Sequence, residues 1–101
     1  FADMTAWMDK MIGRVDAKLG ELGIRDKTLL MFLGDNGTLG SVTSRFQGSD
    51  YRGGKGSTTR RGTHVPLIAS WPAVMKAGRV NRDLISSADF LPTICEAERQ
   101  A

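Results

Sequence analysis

The clearest pattern along the chain is an apolar stripe near its N-terminus. Apolar residues recur there at three- and four-residue steps, which is the spacing of one face of an α-helix. The stripe consists of Met4, Trp7, Met8, Met11, Ile12, Val15, Leu19 and Leu22. Asp3 is a candidate N-cap and Gly23 a candidate stop. The pattern predicts a helix over residues 3–22 that packs its stripe against a core.

Two later segments are apolar without a helical or an alternating period. They are residues 28–33, TLLMFL, and residues 65–71, VPLIASW. Such continuous runs are typical of strands buried on both faces, as in parallel sheets flanked by helices. A last apolar face predicts a helix over residues 89–99, with Pro92 in the first turn, where a missing N–H is harmless. Together these elements predict an α/β fold.

The segment between the two strands, residues 34–63, is predicted as a loop. Eight of the twelve glycines of the chain lie between Gly34 and Gly62, and the segment has almost no periodic apolar pattern. A loop of this length in a small domain is usually functional or disordered. Two strands that are buried on both faces cannot complete a sheet alone. We therefore expect the chain to be an incomplete part of a larger domain.

Length and charge exclude several classes of protein. A chain of 101 residues forms one domain at most. The net charge of +3 is too mild to demand a nucleic acid or an anionic membrane as partner. No apolar run approaches the ~20 residues of a membrane-spanning helix, and the N-terminus FADMTAWMDK lacks the basic start of a signal peptide. Cys95 is the single cysteine, so no internal disulfide is expected.

The first predicted strand runs directly into Asp35 and Asn36. Because Asn-Gly is a common turn dipeptide, Asp35-Asn36-Gly37 could be a plain turn. The two side chains could instead be oxygen ligands of a hard cation at the mouth of a buried strand. An EF-hand that starts at Asp35 does not fit, because Phe46 stands at position twelve of that loop in place of Glu.

The loop also contains a basic stretch, YRGGKGSTTRRG. It is not a P-loop, because Lys55 is followed by Gly56 and not by Ser or Thr. Contacts with an RNA backbone are conceivable, but the single aromatic residue, Tyr51, is a poor stacking platform. The composition of this stretch therefore disfavours a nucleic-acid-binding module.

The order of the segments is more specific than any one of them. A helix ending in LGELGIRDKTLLMFL is followed by GDNG, then by RGGKGSTTRRGTHVPLIASWP and SSADFLPT. In this order and spacing the chain resembles the sulfatase family of the alkaline-phosphatase-like superfamily over nearly all of its length. The resemblance implies a segment from the latter half of a catalytic α/β domain, with a mostly parallel sheet flanked by helices.

The resemblance also implies roles for three residues. Asp35 and Asn36 match two metal ligands of the family, and such oxygen ligands suit Ca²⁺ or, less often, Mg²⁺. Lys55 matches the lysine that contacts the sulfate group, where an ammonium can neutralise nonbridging oxygens. The plain turn and a solvated loop lysine are the structural alternatives.

Several positions depart from the family pattern. Arg60 replaces a common acidic residue and Arg61 a common Gly, which leaves local loop geometry and substrate preference open. His64 is interpreted as structural. Cys95 opens CEAER, which lacks the Pro and Ser of the C-x-P-S-R-type motif that gives rise to formylglycine, so formylglycine is absent from this chain. Trp7 and Trp71 are interpreted as packing residues.

The resemblance implies that the parent protein hydrolyses sulfate esters of small molecules or glycans through a metal and a formylglycine. It also implies a periplasmic, secreted or lysosomal location. A phosphodiester or phosphonate hydrolase of the same superfamily, a noncatalytic remnant and a basic nucleic-acid-binding module are the alternatives. The expected partner is the remaining part of the sulfatase domain, and an isolated copy of the chain is expected to be inactive and to self-associate.

Overall fold

The computed structural model describes residues 1–99, which form three α-helices and four strands. The elements, in chain order, are α1 (Ala2–Glu21), β1 (Leu30–Leu33), β2 (Thr43–Phe46), β3 (Ser49–Arg52), α2 (Arg60–Thr63), β4 (Leu67–Ser70) and α3 (Phe90–Glu98). Short 3-10 turns at Arg25–Lys27 and Ser87–Asp89 precede β1 and α3. The described residues therefore form a small piece of mixed helices and strands, in which β1, β2 and β3 follow one another before α2.

Helix α1 follows the apolar periodicity of the N-terminal region. It starts at Ala2 and ends at Glu21, where the pattern predicts residues 3–22. The N-cap is Phe1 and not the predicted Asp3, which instead lies in the first turn, where its charge complements the helix dipole. Gly23 adopts a φ of 68°, a left-handed conformation that ends helices and suits glycine. Helix formation here is a local property of the sequence.

The apolar stripe of α1 is largely exposed among the described residues. Trp7 is 58% exposed, and it therefore lacks the packing that its sequence position predicts. Met11, Ile12 and Leu19 are only half-buried. Trp71, by contrast, is 6% exposed and is the one buried hydrophobic residue within residues 1–99. Its indole N–H donates to the carbonyl of Asp26 at 2.6 Å, which confirms its interpretation as a packing residue.

Strands β1 and β4 hydrogen-bond to each other in a two-stranded sheet. They occupy the middle of the two apolar runs, which predict strands over residues 28–33 and 65–71. Ile68, at the centre of β4, is 61% exposed, although a strand buried on both faces was predicted there. No helix in the part of the chain that the structure describes is long and apolar enough to cross a membrane.

The predicted loop 34–63 contains an antiparallel hairpin of β2 and β3. The register pairs Thr43 with Arg52 and Phe46 with Ser49. Gln47 and Gly48 form the two-residue connection, and both have positive φ, as hairpin turns of the primed type require. The hairpin is not predicted from the sequence, because TSRF and SDYR are mostly polar and have no apolar alternation. A mostly parallel sheet was predicted. The described strands instead form two separate two-stranded sheets, one of which is this antiparallel pair, and they do not confirm that prediction.

The structure divides into two compact units. We call the first the terminal unit, which comprises Phe1–Leu30 and the chain from Ser70 onward. The second, the central unit, is Met31–Ala69. The central unit contains the whole of the segment predicted as a loop, together with most of β1 and β4.

Arg25 is the best-connected polar side chain of the terminal unit. Its side chain is only 15% exposed and forms an ion pair with Asp16 of α1. Its guanidinium also donates to the carbonyl of Thr28 at 3.1 Å and to the hydroxyl of Ser70 at 2.6 Å. Arg25 therefore links α1 to the segment that precedes β1 and to the last residue of β4.

Replacing Arg25 by methionine should lower the free energy of unfolding of the protein by about 2 kcal/mol. The substitution removes several charge-assisted hydrogen bonds and leaves polar partners unpaired in a shielded site. Lys18→Met is a matched control, because its ion pair with Glu21 is exposed on α1 and should contribute less than about 0.5 kcal/mol. Urea-induced unfolding of both variants gives the comparison. Equal losses of unfolding free energy in the two variants would show that the interactions of Arg25 stabilise the protein no more than an exposed ion pair does.

Candidate functional site

Asp35 and Asn36 lie directly beyond the end of β1. The preceding Gly34 donates its N–H to the carbonyl of Pro66 at 3.0 Å. This hydrogen bond extends the pairing of β1 with β4, because Pro66 directly precedes β4. Both side chains are exposed, and the amide of Asn36 donates to a carboxylate oxygen of Asp35 at 2.7 Å. The strand therefore presents a carboxylate and an amide side by side at its C-terminal end.

The Asp-Asn-Gly segment does not form a left-handed Asn-Gly turn. Neither Asn36 nor Gly37 has a positive φ, which a turn of the primed type would require. The glycine is needed for a different reason. The N–H of Gly37 donates to the carbonyl of Gly62 at 2.8 Å, and a Cβ at position 37 would collide with the carbonyl oxygen of Arg61. Close approach of two backbone segments fixes the geometry after Asn36.

Lys55 lies on a second backbone segment that is hydrogen-bonded to the first. Its N–H donates to the carbonyl of Thr38 at 2.9 Å, two residues beyond Asn36. The N–H of Gly53 donates to the carbonyl of Val42 at 2.9 Å, and a Cβ at Gly53 would collide with the carbonyl of Thr38. The three residues that the resemblance singles out thus belong to one hydrogen-bonded region of the central unit, and the side chain of Lys55 is exposed.

A small cavity of about 130 Å³ opens within the central unit. It is lined by Asn36, Gly37, Thr38, Val42, Ser44, Tyr51, Gly53, Arg61, His64, Val65 and Pro66. The hairpin contributes Ser44 and Tyr51 to this lining, and the sequence did not indicate their role because the hairpin was not predicted. His64, interpreted from sequence as structural, lines the same cavity as Asn36. Arg61, whose departure from the common Gly of the family left the loop geometry open, also lines the cavity.

The positive charge of the chain is concentrated in the central unit. Between residues 31 and 69 there are five Lys or Arg residues and two Asp residues, so this unit carries the whole net charge of +3. The ion pairs found within residues 1–99 involve Lys18, Arg25 and Arg99, all of which lie in the terminal unit. The cations of the central unit therefore have no carboxylate partner among the described residues, which suits a site for anions.

The donor set at Asp35 and Asn36 fits a hard cation only in part. One carboxylate and one amide carbonyl are oxygen ligands of the kind that Ca²⁺ and Mg²⁺ accept. Within residues 1–99, however, no three His, Cys, Asp or Glu side chains come together at one place. Calcium takes six to eight oxygen ligands, so these two residues would be a fraction of a complete shell.

Cys95 belongs to the terminal unit. It lies exposed in α3, within the terminal unit, whereas the candidate ligands and Lys55 lie in the central unit. Its sequence context already lacks two residues of the formylglycine motif. Because this motif is incomplete, no nucleophilic role is assigned to Cys95.

The fold and the site together define an α/β chain with a candidate hard-cation and oxyanion site. A family model described as Sulfatase matches residues 1–97. The chain belongs to the sulfatase family, which confirms the resemblance drawn from the sequence. The family implies an α/β fold and, in general, a metal and a formylglycine. No solved structure matches the chain.

Curated relatives carry the names of several sulfatases. The chain is 38% identical to steryl-sulfatase of Mus musculus over 93% of its own length and 16% of the relative's length. It is 37% identical to arylsulfatase A of Homo sapiens, over 93% of the chain and 18% of the relative. It is 31% identical to N-acetylgalactosamine-6-O-sulfatase of Bacteroides thetaiotaomicron, over 97% of the chain and 21% of the relative. The chain thus spans about a fifth or less of the length of these relatives.

Proposed function

We propose that this chain forms part of the catalytic centre of a sulfatase that hydrolyses sulfate esters. The observation that carries the proposal is the hydrogen-bonded region that joins Asp35 and Asn36 to the backbone of Lys55. This region lies in a unit whose cations are not neutralised by ion pairs among the described residues. A sulfate ester is an anion, so its charge is complementary to the positive net charge of the central unit.

In this proposal Asp35 and Asn36 hold one divalent cation, which is Ca²⁺ or, less often, Mg²⁺. When bound, such a cation supplies Lewis-acid polarisation of the sulfate oxygens. Asp35 contributes the negative charge and Asn36 a neutral carbonyl oxygen. The hydrogen bond between the two side chains keeps them together before an ion is held. The remaining ligands come from other parts of the full-length protein, meaning the complete polypeptide that contains this chain.

Lys55 binds and orients the sulfate group. Its ammonium is a compact charge on a flexible stem, and its backbone is fixed by the hydrogen bond to Thr38. As the ester bond breaks, negative charge shifts onto oxygen atoms, and a cation placed beside them stabilises the transition state more than the ground state. The resemblance implies a formylglycine nucleophile, which in this proposal comes from the remainder of the full-length protein.

The same proposal accounts for the exposed apolar surface. Strands β1 and β4 would lie within a larger, mostly parallel sheet, and the stripe of α1 would pack against that sheet in the full-length protein. We also propose a periplasmic, secreted or lysosomal location, as the resemblance implies. A sulfated small molecule or glycan is the proposed substrate.

The function is tested by assaying the purified full-length protein on matched esters of 4-nitrophenol. The expected result is hydrolysis of 4-nitrophenyl sulfate in clear excess over bis(4-nitrophenyl) phosphate and over a 4-nitrophenyl phosphonate. Preference for either phosphorus ester would instead support the phosphodiester or phosphonate hydrolase. Absence of any turnover, with a folded protein, would support a noncatalytic remnant.

An isolated copy of the 101-residue chain should self-associate and should not bind Ca²⁺ tightly. Residues such as Trp7 and Ile68 expose apolar surface that a second copy can cover. Two ligands of a six- to eight-oxygen shell are also too few for tight Ca²⁺ binding. Light scattering and calcium titration calorimetry measure the two properties, with an Asp35→Ala copy as the control for binding. A monomer that binds Ca²⁺ at micromolar strength through Asp35 would contradict both expectations.

A further inference from the structure

The side chain of Arg61 has a defined position in the central unit, although the family commonly has glycine, without a side chain, at this position. Its guanidinium carbon lies 5.6 Å from the centroid of the Tyr51 ring, in a cation–π arrangement. Tyr51 in turn contacts Phe46 across the hairpin, with ring centroids 5.9 Å apart in an edge-on geometry. The guanidinium of Arg61 therefore rests on the Tyr51 ring, and Phe46 contacts that ring from another side.

The backbone of Arg61 lies close to the segment that precedes Lys55. A Cβ at Gly54 would lie 2.5 Å from the Cβ of Arg61, so any larger residue at position 54 would force the two segments apart. This close contact involves the backbone and the Cβ of Arg61, so it fixes the start of the side chain against the adjacent loop.

The charge of Arg61 is available to a ligand. An aromatic face orients a guanidinium but does not neutralise it. No carboxylate within residues 1–99 forms an ion pair with Arg61. A guanidinium presents a planar fork of N–H donors that matches the oxygen atoms of a carboxylate or a sulfate. An oriented and unpaired arginine is suited to recognise such a group.

The cavity connects Arg61 to the proposed reaction site. Arg61, His64 and Ser44 line the same cavity of about 130 Å³ as Asn36, which is one of the proposed metal ligands. The imidazole and the hydroxyl are further hydrogen-bonding groups for an oxyanion. A substrate whose sulfate ester lies at Asp35, Asn36 and Lys55 can therefore place another part of itself in this cavity.

We propose that Arg61, held over Tyr51 and accompanied by His64 and Ser44, forms a subsite for a second anionic group of the substrate. The inference rests on the proposed function and deepens it, because it makes the preferred substrate a sulfate ester with a further carboxylate or sulfate. Both groups present the same oxyanion chemistry. The subsite binds the second group and takes no part in bond cleavage.

The test compares three aryl sulfates with the full-length protein: phenyl sulfate, 4-carboxyphenyl sulfate and the bis-sulfate of hydroquinone. Wild-type protein should have a higher kcat/KM for one or both dianions than for phenyl sulfate. Arg61→Gly, which restores the common family residue, and Arg61→Met should lower this preference by about 10- to 100-fold, the effect of losing a charge-assisted contact. The loss should lie mainly in KM. The dianion that loses more identifies the group that the subsite prefers.

Arg60 supplies the matched control. It is the adjacent arginine of α2, carries the same charge and does not line the cavity. Arg60→Met should leave the ratio of kcat/KM values unchanged. Tyr51→Leu should lower the ratio in the same direction as Arg61→Met, because the guanidinium loses the ring on which it rests. Equal ratios in wild-type protein and Arg61→Met, or equal effects of Arg60→Met and Arg61→Met, would overturn the subsite.

Binding of 4-hydroxybenzoate and of phenol, measured by titration calorimetry, separates the subsite from the catalytic proposal. The carboxylate should raise affinity in wild-type protein, and Arg61→Met should abolish that gain. If no aryl sulfate is turned over but this Arg61-dependent gain is found, the proposed function fails and the subsite stands. If sulfate esters are hydrolysed and the gain is absent, the subsite fails and the proposed function stands. Absence of both overturns both.

Discussion

Replacing Lys55 by alanine in the full-length protein should lower the turnover of a sulfate ester by about 100- to 1,000-fold. Removal of one group that stabilises developing negative charge typically has an effect of this size, about 2.7–4 kcal/mol. The expectation rests on the position of Lys55, whose backbone is hydrogen-bonded to Thr38 close to the proposed metal ligands. Steady-state kinetics of the purified variant on 4-nitrophenyl sulfate provide the measurement.

Two further variants make the lysine experiment specific. Lys76→Ala removes an exposed lysine of the terminal unit and should leave turnover within about twofold, as surface substitutions usually do. Lys55→Arg keeps the charge but changes its shape, and should restore only part of the activity. Unchanged turnover in Lys55→Ala would rule out a role for this residue at the sulfate group.

Replacing Asp35 by alanine should weaken metal retention by on the order of 100-fold or more. Loss of an outer partner of a metal ligand already lowers affinity about 10- to 100-fold, and a direct anionic ligand should matter at least as much. Asn36→Ala should have a smaller effect, because it removes a neutral carbonyl and no charge. Metal content after dialysis, determined by mass spectrometry, measures both variants and also identifies the bound metal.

Asp50 offers a control for the loss of negative charge alone. It is an exposed aspartate on β3 in the same unit, and it does not line the cavity. Asp50→Ala should therefore retain the metal of the wild-type protein. Equal retention by the Asp35, Asn36 and Asp50 variants would show that the pair beyond β1 holds no metal.

Only those residues of the candidate site that belong to a short sequence motif could be predicted from the sequence. Asp35, Asn36 and Lys55 were predicted because GDNG and the later Lys-Gly follow each other in family order. The cavity was not found, since its Ser44 and Tyr51 lie on a hairpin without apolar alternation. A polar hairpin is stabilised by cross-strand pairs and its turn, and these interactions leave little periodic signal.

The glycines also show a difference between what the sequence indicates and what the structure reveals. The sequence marks residues 34–62 as rich in glycine, which is compatible with a flexible loop. The structure shows instead that Gly37 and Gly53 allow backbone segments to approach more closely than a Cβ would permit. A sequence cannot distinguish these two uses of glycine, because close approach depends on a partner segment far along the chain.

The sequence by itself determined the features that depend on neighbouring residues. A periodicity of three to four residues gave helix α1, continuous apolar runs marked β1 and β4, and the order of short motifs identified the family. Tertiary structure decided which distant residues meet: Lys55 with Thr38, Gly37 with Gly62, and Arg61 with Tyr51. These contacts join residues at least ten positions apart. They depend on backbone hydrogen bonds and steric fit between separate segments, which no local pattern of apolar and polar residues encodes.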